Sequence, residues 1–359
     1  VKPTGSSPTN CGIDPIRRNH IAAAVAVLVV AGYSGWWIVT ARAVGARIDG
    51  WIAQQQAAGA KIAPAHVSVT GYPFSFSVKL TDVSLTLPTG LGFTSQSLKV
   101  RSRPWSLTNF KVNATGGFAL TLPPGNTRPA LTLAGETLKG HAGFGNTDIP
   151  TALDLTADTV SATPAGATGP TAPELTVATV EFVGSRPTVQ PKADTDLAYD
   201  LSLKLTDMSA QLFESNPLGG TIHITALHGQ LLGVPPATWD AAGIKAWRDA
   251  GGTINLLAAA IQWGTLSVSG SGTLALDKDM QPEGAMTIRL VGFNEALDSL
   301  AAAGWVKIGP ASLAKFALGI AARPGPDGKP MVDTPLSIQD RKITVDGAKL
   351  GVMPELKLD

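Results

Sequence analysis

The stretch Gly71–Leu87, GYPFSFSVKLTDVSLTL, decides the fold class. Its apolar residues fall on alternate positions. Phe74, Phe76, Val78 and Leu80 leave one side of an extended chain, while Ser75, Ser77, Lys79 and Thr81 leave the other. The phase slips once near Asp82, after which Val83, Leu85 and Leu87 resume the alternation. The spacing predicts a strand with one apolar and one polar face. A packed core, a second sheet, a partner chain or a lipid would each satisfy the apolar row. Phe74, Phe76, Val78 and Leu80 are therefore the candidate contacts for a hydrophobic ligand.

The period of two recurs through most of the following chain. Val67 and Val69, Leu98 and Val100, Phe110 and Val112, Phe118 to Leu122, Leu131 and Leu133, and Leu153 and Leu155 read as short strands. LPTGLG, ATGG, LPPGN and HAGFGN supply the Gly, Pro and Asn that bends require. Ser161–Pro173 is low in complexity and fits either a domain linker or a long hairpin loop, because alternation resumes at ELTVATVEFV. Later strands are INLLAAAIQW, GTLSVSGSGTLALD, GAMTIRLVGF and PLSIQDRKITVDGAKLGV, the last with Asp346-Gly347 as a hairpin turn.

Three short helices interrupt these strands. Thr238 is placed to cap one that carries Trp239, Ile244 and Trp247 and ends at Gly251-Gly252. Asn294 is placed to cap another, with Leu297, Leu300 and Ala301 inward and Gly304 as the stop. A third, near Pro310 to Ala321, aligns Leu313, Phe316, Ala317 and Ile320 on one side.

Ile21–Thr40, IAAAVAVLVVAGYSGWWIVT, is free of charge. At about 1.5 Å per residue it spans roughly the 30 Å core of a bilayer. Arg17, Arg18 and His20 precede it, and Trp36 and Trp37 close it at the depth where aromatic residues favour the interface. The competing reading is a cleaved secretory signal, for which ARAVGA after the run would serve as the cleavage site. On either reading the remainder is exported. The paired arginines favour a cytoplasmic N-terminus, so the expected arrangement is a tail (1–20), a single inner-membrane span (21–40), a juxtamembrane helix (41–60) and a periplasmic β-rich domain (61–359). Val44, Ile48, Trp51 and Ile52 recur on one face of the juxtamembrane helix, fitting a stalk on its own domain or a helix on the membrane surface.

Composition agrees with a β-rich chain. The 359 residues include 39 glycines and 26 prolines, against a usual combined share of about 12%. Charged residues are 15%, and the net charge of +1 offers no global field to nucleic acid. The single cysteine, Cys11, excludes an intrachain disulfide and a multi-cysteine metal site. With few helices to shield so many one-sided strands, the expected fold is mainly β: a large curled antiparallel sheet, sandwich or half-barrel after one N-terminal transmembrane helix.

Catalytic patterns are weak. His223 and His228 are five apart without the glutamate of HExxH, and His66 and His141 are isolated. SVSGSG at Ser267–Gly272 lacks the glycine spacing of a nucleophile elbow, and GHAGFGN at Gly140 is not a dinucleotide-binding loop. Asp194, Asp196 and Asp200 lack the later glycine and distal glutamate of an EF-hand. Asp277 and Asp279 flank a turn, where aspartate bonds its own backbone. No catalytic residue, metal ligand or cofactor site is assigned, and the expectation is a protein that is not an enzyme.

A set of short signatures resembles a bacterial family of exported proteins, domain-of-unknown-function family 2125. They are Gly71-Tyr72-Pro73-Phe74, Pro104-Trp105, Trp247 with Gly251-Gly252, Trp263-Gly264, Leu274-Ala275-Leu276-Asp277, Gln281-Pro282 with Gly284, and Leu297 with Leu300. The resemblance runs from about Trp51 to the C-terminus, and the order of the motifs carries it. Such proteins look like distant neighbours of the AsmA-like envelope proteins, which implies envelope maintenance and lipid movement but supplies no catalytic residues. The expectation is a membrane-anchored periplasmic protein that binds or conducts a hydrophobic molecule such as a lipid, in envelope maintenance. A scaffold for other envelope proteins is the alternative.

Overall fold

The computed structural model describes residues 15–63, 66–125, 129–145, 150–164, 174–325 and 328–356. Cys11 and residues 165–173 lie outside them. The charge-free run and the segment after it form one continuous helix, α1 (Pro15–Ala57). Nothing in the sequence between Thr40 and Ala41 breaks a helix: neither Pro nor Gly stands there. The face of α1 carrying Val44, Ile48 and Ile52 is half-buried on the domain, and Trp51, expected with them, is exposed.

The remainder is one antiparallel sheet. Its first strands are β1 (Lys61–Ala63), β2 (His66–Thr70), β3 (Phe76–Thr86), β4 (Gly92–Arg103), β5 (Ser106–Leu122), β6 (Leu131–Gly135), β7 (Thr137–Phe144), β8 (Pro150–Pro164) and β9 (Leu175–Ser185). Then follow β10 (Leu197–Ala210), β11 (Thr221–Leu232), β12 (Thr253–Trp263), β13 (Leu266–Leu276), β14 (Pro282–Val291), β15 (Arg323–Pro324), β16 (Pro330–Gln339), β17 (Lys342–Val345) and β18 (Ala348–Val352). From β3 onward the chain meanders, each strand beside the next, with two exceptions: β6 and β7 together occupy one position between β5 and β8, and β14 pairs directly with β16, whose far side β15 shares with β17. β1 and β2 likewise share the free side of β3, and α1 packs on both. β8 and β9 pair as far as Ala162 opposite Leu175. No ladder among the described residues joins the two outer edges, so the sheet is open.

Three helices interrupt the meander: α2 (Ala241–Asp249), α3 (Phe293–Ala302) and α4 (Ile308–Ala321). The cap of α2 is Asp240, not Thr238, since the Asp240 carboxylate accepts from the Gly243 N–H at 2.8 Å. Trp239 consequently precedes the helix and is exposed. α3 starts one residue before Asn294, from Gly292 at φ +74°. Asp346 and Gly347 both have positive φ, the backbone of the tight β17–β18 hairpin that the dipeptide predicts.

The phase slip near Asp82 is not local to that strand. Asp82 lies at φ +51°, Thr159 at +54° and Asp207 at +48°, and Gly116 and Gly117 are also positive. In register these positions form one line across the sheet from β3 to β10. There the inward side chains step by three instead of two: Leu80 to Val83, Ala157 to Val160, Val177 to Val180, Leu205 to Met208. A left-handed residue re-aims the chain as a bulge does. Because neighbouring strands slip together, the apolar face stays on one side across the crease.

Candidate functional site

The apolar face can be followed strand by strand. Leu80, Leu98, Ala114, Leu138, Ala157, Val180, Leu205, Thr225, Ile261, Val268, Leu290 and Val332 each lie opposite the next. Twelve strands at about 4.8 Å make this row roughly 50 Å long. The hydroxyl of Thr225, the one polar member, is buried without a hydrogen-bond partner.

The chain's own mass covers this face incompletely. Small members of the face are buried, including Ala114, Ala157, Val177 and Val332. Leu201, Leu227 and Ile261 are 39%, 44% and 44% exposed although each sits between two hydrogen-bonded strands. A central strand has no free edge, so that exposure lies through the face. The total accessible surface is 22044 Å², against about 13600 Å² for a compact monomer of 36.9 kDa. An extended helix and an open sheet both contribute to the excess.

The four ligand candidates do not share one surface. Phe74 lies in the turn before β3 and is 71% exposed, so it leaves the row that alternation assigns to it. Phe76 and Val78 are buried, with Phe76 under the chain's own helix against Trp37. Leu80 is half-buried and joins the long row. The two interface tryptophans also part company: Trp36 is 45% exposed, whereas Trp37 is buried against Phe76 and Tyr72. The exposed members Leu201, Leu227 and Ile261 are the ones sequence reasoning missed. The sequence does repeat KLTDVS at Lys79–Ser84 as KLTDMS at Lys204–Ser209, which marks the same crease in β3 and β10 but not the exposure of those residues.

The polar groups considered for chemistry have separate partners. His223 Nδ1 lies 2.9 Å from Asp207 and His228 Nε2 lies 3.0 Å from Asp200. Asp196 accepts from the N–H groups of Lys192 and Ala193, which hold its carboxyl below the usual range. Gln230 donates to Asp200 and, with His228, lowers that carboxyl also. Asp277 accepts from the Asp279 and Gln281 N–H groups, the turn role its position suggests.

The motif residues of the resemblance fasten the fold. The Trp247 N–H donates to Leu232 O at 2.9 Å while its ring lies on Gly252, where any Cβ would collide with the indole. Trp263 donates to Gly219 O at 2.7 Å and packs on Phe213. Gln281, buried, exchanges both amide hydrogen bonds with the backbone of Leu356 and so ties down the C-terminal segment.

A family model described as "Uncharacterized protein conserved in bacteria (DUF2125)" matches residues 37–354. No curated protein and no solved structure matches the chain.

Proposed function

The chain belongs to the bacterial family of uncharacterized proteins DUF2125, and from that premise we propose that it is a membrane-anchored carrier whose open apolar face binds or conducts acyl chains. α1 is long and apolar enough to cross a bilayer. The paired Arg17 and Arg18 support a cytoplasmic N-terminus, and the reading then has the sheet on the periplasmic side of the inner membrane. The observation that carries the reading is the exposure of Leu201, Leu227 and Ile261, in central strands on one face whose long row is apolar but for Thr225. That row, roughly 50 Å long, exceeds the ~30 Å hydrocarbon thickness of a bilayer, so it has room for acyl chains along its length. Acyl chains need only a broad greasy surface, and no catalytic group enters the scheme. Photo-crosslinking the full chain with a phospholipid bearing a diazirine in its tail tests it. The expected adducts map to β10–β12 and are lost in Leu227→Glu and Ile261→Glu, and adducts confined to α1 would sink the proposal.

A second reading, a scaffold for other envelope proteins, draws on α4. Ile308, Leu313, Phe316 and Ile320 are 75%, 71%, 70% and 74% exposed on that helix, an apolar patch of the kind that marks interaction sites. It predicts a stoichiometric protein partner cross-linked through α4 and lost when Leu313, Phe316 and Ile320 become Gln.

A further inference from the structure

The near-zero net charge conceals a segregated one. On the polar face of the first strands, Lys79 lies opposite Lys99 and Arg101 opposite Lys111. Like charges directly opposite one another destabilise a sheet. Among the described residues, Lys79, Lys99, Arg101, Arg103 and Lys111 form no ion pair with a carboxylate. The repulsion is therefore left standing in the free protein, and an anionic surface would relieve it.

The position of these cations says which anionic surface. The loop before β3 is bound to α1 well inside the charge-free run: the Tyr33 hydroxyl donates to Pro73 O, and Ser34 Oγ lies 2.6 Å from the Tyr72 hydroxyl. Trp36 and Trp37 pack on Phe76, the residue beside Ser77, which faces Arg101 across the ladder. Tyr33 is seven residues before Thr40, about 10 Å along a helix, so the turn before β3 reaches that far inside the greasy run, and Phe76, against Trp36 and Trp37, sits close to its end. Phe74 and the β4–β5 turn residue Trp105 are 71% and 66% exposed there, as aromatic residues are at a membrane interface. Phe74, Arg101, Ser102, Ser106, Asn109 and Lys111 line a cleft of about 520 Å³ between them, offering guanidinium, ammonium, hydroxyl and amide donors together.

We propose that the polar face of β3–β7 is a docking surface for the anionic phospholipid headgroups of the bilayer that α1 enters. Arg101, Arg103 and Lys111 take the phosphates, and Phe74 and Trp105 enter the interface beside them. Charge attraction of juxtamembrane Lys and Arg to anionic lipid supplies the affinity. The inference rests on the anchor half of the proposed function and not on its cargo half, because this face is opposite to the apolar one.

The test uses the full chain in nanodiscs made from equal amounts of phosphatidylglycerol and phosphatidylcholine, with retained lipid counted by mass spectrometry after transfer to detergent. Wild type should retain phosphatidylglycerol in preference, and R101Q/R103Q/K111Q should lose that preference, by up to about a hundredfold. K342Q/K349Q, at the far edge of the sheet, should keep it. Unfolding midpoints of the triple variant should stay level or rise, since repulsion is removed. Equal preference in wild type and triple variant overturns the proposal. So does loss of the preference in inorganic phosphate but not in chloride of equal ionic strength, which would mark a site for a free anion. A chain that fails to enter nanodiscs at all sinks the anchor reading, a result distinct from either.

Discussion

The Trp37 ring stacks on Phe76 with centroids 5.4 Å apart and planes 13° from parallel, and this pair joins the helix to the sheet. Ala41 and Val69 complete the cluster. The indole N–H of Trp37 is buried without a partner, so its contribution is packing alone. Phe76→Ala should destabilise the chain by about 3 kcal/mol through the cavity it leaves. Trp37→Phe should cost under about 1 kcal/mol, because the lost ring area is offset by removal of an unsatisfied donor. Denaturant unfolding in a fixed detergent checks both, and equal losses would mean that the indole nitrogen does find a partner.

Thr159 is a β-branched residue at φ +54°, in the crease and exposed. Left-handed backbone costs a residue with Cβ roughly 1–2 kcal/mol, with Asn and Asp penalised least. Thr159→Asn should therefore raise stability by about 0.5–1 kcal/mol. Asp82→Val should lower it by about 1–2 kcal/mol at the equivalent place in β3. Thermal midpoints that move the other way would show that the crease is held by side-chain bonds instead.

Thr225 breaks an otherwise apolar row with a hydroxyl that has no partner. Valine has nearly the same shape without the desolvated group, so Thr225→Val should stabilise by about 1 kcal/mol. A fall in stability would reveal an unseen hydrogen bond.

Alternation made the strands legible, because each strand has one greasy side and the turns carry Gly, Pro and Asp where φ demands them. The slip at Asp82 was visible too, but a single strand cannot show whether its neighbours slip at the same level. That depends on register, which pairs residues far apart in sequence. Exposure was illegible for the same reason. Leu203 and Leu227 alternate alike and face each other, yet Leu227 is 44% exposed and Leu203 is half-buried. The row Phe74 to Leu80 failed at its first residue because Pro73 and the turn around it displace Phe74 from the strand. Net charge hid the cation-rich face of β3–β7, since a sum over the chain carries no positions.

Asp200 should make the fold sensitive to acid. The Gln230 amide donates to its carboxylate at 3.0 Å and His228 lies at the same distance, and the carboxyl sits below its ordinary value for those reasons. Asp333, bonded by Arg289, is depressed in the same direction. A carboxyl with a lowered folded pKa binds its proton more readily in the unfolded chain, where the value is about 3.9. Its stabilisation is then complete above that value and is lost as pH falls through the folded one. Unfolding midpoints of wild type should therefore hold between pH 6 and about pH 5 and drop below about pH 4. Asp200→Asn removes this term, so it should be less stable than wild type at pH 6 and converge on it near pH 2–3. Midpoints of the two proteins that keep a constant gap from pH 6 to pH 2 would show that the Asp200 carboxylate contributes nothing through its charge.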